Sequence, residues 1–273
     1  MRTQHQHNRH MGYRRHGRRW RQPSKGSWGN RIIVTFILAL LAWAFIPGLG
    51  PDLAGLSTKG APKLTLPDWG KSADQILSES VQTDLVKAVA SLPEGEWESA
   101  SPYQRSQFGI RWADIDRNGC DTRNDILKRD LSQVQTKAGT HDCVVISGEF
   151  TEPYTGHYQQ FRKGAQSSSK VQIDHVVALS NAWKTGASRW DAKTREQFAN
   201  DPLNLLAVDG PSNQDKQDKD AASWLPPNKG FQCQYVALQT AIKQKWQLWV
   251  TPEEKRAMAA VAASCPAQPL PAD

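Results

Sequence analysis

Val171-Gln172-Ile173-Asp174-His175-Val176-Val177 is an apolar run interrupted by one Asp-His pair. β-Branched residues crowd both sides of the polar pair, so the run reads as a short strand. Further along, Pro202-Leu203-Asn204-Leu205-Leu206-Ala207-Val208 reads as a second buried strand. The turn signal Asp209-Gly210-Pro211 then leads to Ser212, which is placed to cap a polar helix, Asn213-Gln214-Asp215-Lys216-Gln217-Asp218-Lys219. Two strands and a helix in this order present Asp174, His175, Asn204 and Asn213 toward one another.

That set suits metal-assisted phosphodiester hydrolysis. A neutral imidazole draws a proton from water while a hard cation neutralises charge growing on the phosphate. Histidine is the natural base because its unperturbed pKa lies near working pH. Carboxylate and amide oxygens suit Mg²⁺, which keeps several waters and so leaves room for phosphate and nucleophile. Asp174 and Asn213 supply oxygens of that kind. The plainer reading of a single His beside a strand is structural, and it is the ordered combination of pair, strand Asn and helix Asn-x-x-Lys that argues against it.

Asp174-His175, then Asn204, then Asn213 with Lys216 three residues on, resembles the ββα-metal site of HNH endonucleases. The wider string, from Tyr103-Gln104-Arg105 through Trp112-Ala113-Asp114 to Asn124-Asp125, is similar to exported actinobacterial HNH proteins related to the C-terminal domain of the GmrSD restriction enzyme. The resemblance covers roughly residues 99–266. It implies an α+β fold with a ββα-metal (His-Me finger) core and surrounding helices, with His175 as general base. It also implies that Asp174 and Asn213 are the metal ligands and that Asn204 braces the loop carrying the base. The third motif position is Asn213 where the namesake motif has a final His, which implies a Mg²⁺ or Mn²⁺ site with two protein ligands. Nucleic acid, DNA foremost, is the implied substrate, with 5′-phosphate and 3′-hydroxyl products. The alternative from another class is a surface-anchored binding module that keeps this scaffold without turnover.

Arg105 and Arg123 are candidates for the scissile phosphate, and Lys216 for substrate, Arg being the side chain best matched to phosphate oxygens. A structural salt bridge is the equal alternative for the arginines. Asp114-x-Asp116-x-Asn118-Gly119, with Asp125 at the twelfth position, has the spacing of a calcium-binding loop. Asp121 sits where such a loop carries an apolar residue, so turns leading into a helix over 122–131, capped by Thr122, are the competing reading. Arg162, Lys163 and Lys170 before the catalytic strand form either a backbone contact or a solvated basic face. Trp183, Trp190 and Trp224 read as core.

The four cysteines have no Cys-x-x-Cys pair, which argues against zinc and for two disulfides in an exported domain. A helix from Cys233 to about Leu248 and another from Thr251 to about Ser264 are joined by a short loop. Running antiparallel, they bring Cys233 beside Cys265, which leaves Cys120 with Cys143. Val144 to Phe150 and Tyr158 to Phe161 flank Pro153-Tyr154-Thr155-Gly156 as a hairpin. Residues 180–201 read as mostly helical. Ser72 and Gln75 form a capping box for one helix running to about Leu92, with Val81 on its apolar face.

The net charge of +7 belongs to the N-terminus: residues 1–31 hold nine Arg or Lys and no acid, leaving 25 basic against 27 acidic groups in the rest. Nucleic-acid binding by the remaining chain must therefore come from local patches. The basic tail reads as disordered. Residues 32–50 follow it as an uncharged, almost unbroken apolar run, expected to be a transmembrane anchor or an export signal. Positive charge upstream places the N-terminus inside and the folded part outside, on the cell membrane or secreted. Residues 51–70 read as a linker, 71–266 as the catalytic domain and 267–273 as a tail. No sequence feature points to a protein partner.

Overall fold

Strand β4 (Val171–His175) and strand β5 (Leu205–Asp209) pair antiparallel, Val171 opposite Asp209 and His175 opposite Leu205. In this computed structural model the described residues are 70–98, 102–164 and 169–271, all within one unit, Leu66–Asp273. The second strand starts later than its apolar run, because Pro202–Asn204 forms a 3₁₀ turn capped by Asp201. The helix that follows also starts earlier than expected. Asp209, not Ser212, accepts from the Ser212 amide and caps a helix over Gly210–Lys216, named α6 in the chain order given below. Gly210 is required where this helix leaves β5. A Cβ there would lie 2.2 Å from the Ser169 carbonyl oxygen, far inside van der Waals contact.

A two-stranded ribbon is marginal alone, and helix α3 (Thr122–Asp130) closes both of its edges. Asp130 accepts from the Ala207 amide, Arg129 donates to the carbonyls of Pro202 and Leu205, and Arg123 donates to that of Val171. Asp121 rather than Thr122 is the N-cap of α3, accepting from Asn124. Ile126 and Leu127 on α3, with Leu131 at its C-cap, pack with Val171, Ile173, Leu205 and Ala207 of the ribbon.

A second, three-stranded antiparallel sheet runs β1 (Ser132–Thr136), β2 (Val145–Thr151) and β3 (Tyr158–Arg162). The β2–β3 hairpin is the one read from the sequence; β1 is an addition. Its turn is ordered by the fully buried carboxylate of Glu152, which accepts from the amides of Tyr154 and Thr155 and from the Thr155 hydroxyl.

The segment between the ribbon strands is helical as expected: α4 (Leu179–Lys184), a 3₁₀ turn at Ala187–Arg189, and α5 (Ala192–Ala199). Trp183 and Trp224 are buried in the core with Phe198 and Tyr235, and Trp190 packs against it. The expected long N-terminal helix is two helices, α1 (Ala73–Glu79) and α2 (Asp84–Ser91). Thr83 caps the second, and Gln82 donates to the Leu77 carbonyl at the end of the first. Val81, in the break, is exposed rather than on the packed face. The Ser72–Gln75 capping box is present. Helices α7 (Lys229–Lys245) and α8 (Pro252–Ala263) pack on α1 and α2.

The disulfides are Cys120–Cys143 and Cys233–Cys265. The first ties the start of α3 to β2, the second ties α7 to the end of α8. Among the described residues no helix is long and apolar enough to cross a membrane. The expected span at residues 32–50, like the basic tail and most of the linker, lies outside them.

Candidate active site

Strand β4 delivers the Asp174-His175 pair to one wall of an open cavity of about 880 Å³, and α6 delivers Asn213 to the same cavity. The two elements are held at fixed spacing by Lys216, the last residue of α6. Its side chain is fully buried, and its ammonium donates to Asp174 Oδ1 at 3.1 Å and to the His175 carbonyl at 2.9 Å. Lys216 was expected to meet substrate. It is not among the cavity-lining residues, and its donors are spent on the Asp-His strand, so it acts as an internal tether.

Asp174 is almost fully buried. Its Oδ2 accepts from the Tyr154 hydroxyl at 2.5 Å, so the turn of the β2–β3 hairpin ends at the site. Burial pushes this carboxyl above its ordinary range, opposed by the Lys216 ammonium and the Tyr154 hydrogen bond. Every neighbour at its two oxygens donates, an arrangement that suits the carboxylate form.

His175 has a fixed tautomer. Its Nε2 lies 2.8 Å from the carbonyl oxygen of Ala199 at the end of α5. A carbonyl can only accept, so Nε2 carries the proton and Nδ1 holds the free lone pair. Desolvation drives the imidazole pKa down to about 3, with Arg105, Lys216 and Arg111 adding like-charge repulsion. The ring is therefore neutral at ordinary pH. Its face stacks on Trp112, centroids 6.1 Å apart and planes 8° from parallel.

Asn204 lies at the end of the 3₁₀ turn rather than within the strand. Its Oδ1 accepts from the Val177 amide at 2.8 Å, its Nδ2 donates to the Val177 carbonyl, and its own carbonyl accepts from Val176. It therefore clips the backbone just after His175 and does not line the cavity. Asn213 donates through Nδ2 to Gln172 Oε1 at 2.8 Å.

Arg105 and Arg123 line the cavity, joined by Arg111, which sequence reading missed. None of the three forms a salt bridge within the described residues. Burial lowers the pKa of Arg105 and Arg123, and both feel Arg111. Tyr154 was read only as a turn residue, and Ala199 and Arg111 carried no signal at all. An aromatic in a Pro-x-Thr-Gly turn is the one feature that could have marked Tyr154 as buried.

The loop with calcium-like spacing uses its acids on itself. Asp114 accepts from the amides of Asn118 and Gly119, and Asp116 from the amide and side chain of Asn118. Asp114, Asp116 and Asn118 thus form the turns that were the competing reading of this loop, and Asp125 lies in the first turn of α3; among the described residues no group of three or more His, Cys, Asp or Glu is arranged to hold a metal.

The described residues form an α+β protein whose central strand pair and helix set a neutral histidine beside carboxylate, amide and guanidinium groups. The chain belongs to the family of the GmrSD restriction endonuclease C-terminal domain, whose model matches residues 121–261. A protein of Arthroderma benhamiae described as an uncharacterized secreted protein is 35% identical over 192 residues, covering 70% of this chain and 87% of that one. No solved structure matches it. The family is one of nucleases.

Proposed function

We propose that this chain is a metal-dependent endonuclease of the HNH type that hydrolyses phosphodiester bonds of nucleic acid, DNA foremost, outside the cytoplasm. The observation that carries the reading is the state of His175: neutral, with Nε2 committed to Ala199 and Nδ1 free, in a cavity shared with Asn213 and three guanidinium groups that form no salt bridge among the described residues. Two disulfides and a relative described as secreted support the location.

The donor set fits a small hard cation. Asn213 spends its nitrogen on Gln172, and its amide oxygen has no partner among the described residues, while Asp174 offers carboxylate oxygens at the same cavity. Asp174 and Asn213 would hold Mg²⁺ or Mn²⁺, whose chemistry when bound is to neutralise charge growing on the phosphate and the leaving oxygen. The chain's own residues do the rest. His175 Nδ1 takes a proton from water, and the oxygen so freed attacks phosphorus in line as the opposite P–O bond breaks, the leaving oxygen taking a proton from solvent to end as a hydroxyl. Arg105, Arg111 and Arg123 orient the phosphate through its non-bridging oxygens. Asn204 and Lys216 keep the base and the carboxylate in register without touching substrate.

His175→Ala keeps the fold, because the ring faces a cavity rather than the core, and it abolishes cutting of plasmid DNA in Mg²⁺ or Mn²⁺. Supercoiled plasmid relaxed at an undiminished rate by that variant would refute the assignment.

A further inference from the structure

We infer that Trp112 is a positioning residue for His175, and that its left-handed backbone is the device that brings the Arg111 guanidinium and the Trp112 indole to one cavity. The inference rests on the reading of His175 as the general base. It concerns a segment upstream of the family-matched residues 121–261, to which nothing so far gives a role beyond phosphate contact.

In extended chain, neighbouring side chains point to opposite faces. Arg111 and Trp112 are adjacent and both line the cavity. The break in alternation falls at Trp112, whose φ is +62°. A bulky residue rarely adopts that conformation, which costs on the order of 1–3 kcal/mol and persists only where the surroundings over-determine it.

The surroundings do so. Arg195 Nε donates to the Gln107 carbonyl, Glu196 Oε1 accepts from the Ile110 amide at 2.7 Å, and Asn200 Nδ2 donates to the Ile110 carbonyl. On the other side of Trp112, the Thr122 hydroxyl donates to the Ala113 carbonyl. Gly109, with φ +66°, lets the loop close on α5; a Cβ there would lie 2.6 Å from Glu196 Oε1.

Helix α5 thus holds the loop, and its last residue, Ala199, also holds His175 Nε2. The imidazole is gripped at its edge by α5 and on its face by an indole whose loop is anchored to α5 and whose ring packs against the cluster of α3 and the ribbon. The hydrogen bond alone fixes one nitrogen but leaves the ring free to swing about that contact. A parallel indole with its centroid 6.1 Å from that of the imidazole limits the swing. Catalysis by a base needs its lone pair aimed at the water, and a misplacement of about 1 Å can cost on the order of 100-fold.

The test uses the full-length chain with Trp112→Phe, Trp112→Leu and Trp112→Ala, each checked by thermal melting. The activity readout is plasmid cleavage with KM and kcat separated. The expected result is a kcat lowered about 10- to 100-fold in the Leu and Ala variants, with KM within about 3-fold and most activity kept by Phe. A second readout needs no turnover: the His175 ring protons should be shifted by the indole ring current, retain a shift in Trp112→Phe and lose it in Trp112→Leu. Wild-type kcat in a folded Trp112→Leu protein, or unshifted His175 ring protons in the wild type, overturns the inference. If Trp112→Ala does not fold, the Phe and Leu pair decides by the same criteria. A wild-type chain that shows the ring-current shift but cuts no nucleic acid refutes the endonuclease reading and leaves the positioning contact standing.

Discussion

Replacing Lys216 with Met keeps the volume of the buried stem and removes the charge at its tip together with the hydrogen bonds it donates to Asp174 and to the His175 carbonyl. The wild-type ammonium is fully buried against Asp174, itself almost fully buried, so the variant leaves a carboxylate without a counter-ion. Breaking a buried pair from one side costs on the order of 3–5 kcal/mol. The carboxyl has an escape, which bounds the cost: it can fold protonated. At pH 7 protonation is three units above an ordinary Asp pKa of about 4, at about 1.4 kcal/mol per unit, so the ceiling is about 4 kcal/mol. In the variant the folded pKa of Asp174 is raised above the unfolded value, so the folded state binds the extra proton and stability falls as pH rises. The deficit should accordingly shrink to about 1.4 kcal/mol at pH 5. The assay is denaturant unfolding of wild type and Lys216→Met at pH 5 and pH 7, with chelator present so that no cation replaces the ammonium. The pH 7 deficit corresponds to a loss of about 8–16 °C in Tm for a domain of this size. Asp174→Asn in the Lys216→Met background should restore most of the stability at pH 7. A deficit below about 1 kcal/mol at pH 7, or one that grows toward pH 5, would refute the claim that Lys216 is a structural counter-ion.

His175 supplies an acid-sensitivity prediction. Its folded pKa is depressed to about 3 against an unfolded value near 6.5, so the unfolded chain binds the extra proton between those limits and stability drains as pH falls below about 6.5. Between pH 7 and pH 5 wild type should lose about 2 kcal/mol more than His175→Asn in denaturant melts; equal losses would show that the imidazole is not held neutral. The same depression predicts that single-turnover cleavage persists at pH 5, where an unperturbed histidine would be mostly protonated, and an acid limb near pH 6.5 would contradict it. Gly210→Ala places a Cβ against the Ser169 carbonyl and should destabilise by about 1–3 kcal/mol. Because the strain falls where α6 leaves β5, amide exchange in β4 and α6 should accelerate before that in α7, and an unchanged exchange pattern would count against the register argument.

Much of the ribbon-and-helix unit was legible because its signals are local. A β-branched run makes a strand, an Asp-Gly-Pro turn starts a helix, and both lie close enough in sequence for spacing to speak. Asp174, His175 and Asn213 could be named on one cavity for that reason, and the Cys233–Cys265 pairing followed from two similar helices on a short loop. Element ends were less legible. Asp209 and Asp121 took the capping positions expected of Ser212 and Thr122, since several residues of capping type stood in a row and only the finished backbone chose among them. The split of the first helix at Val81 had the same origin, Thr83 offering a second cap inside an unbroken apolar pattern.

What residue order determined, then, was which side chains have the chemistry and which short elements carry them. Tertiary structure decided what each one faces. Lys216 turned inward because Asp174 is buried beside it, Tyr154 crossed from another sheet to meet the same carboxylate, and Trp112 and Ala199 came from two segments far apart in the chain to hold the imidazole. Such contacts depend on how whole layers pack, and no spacing along a single stretch encodes them.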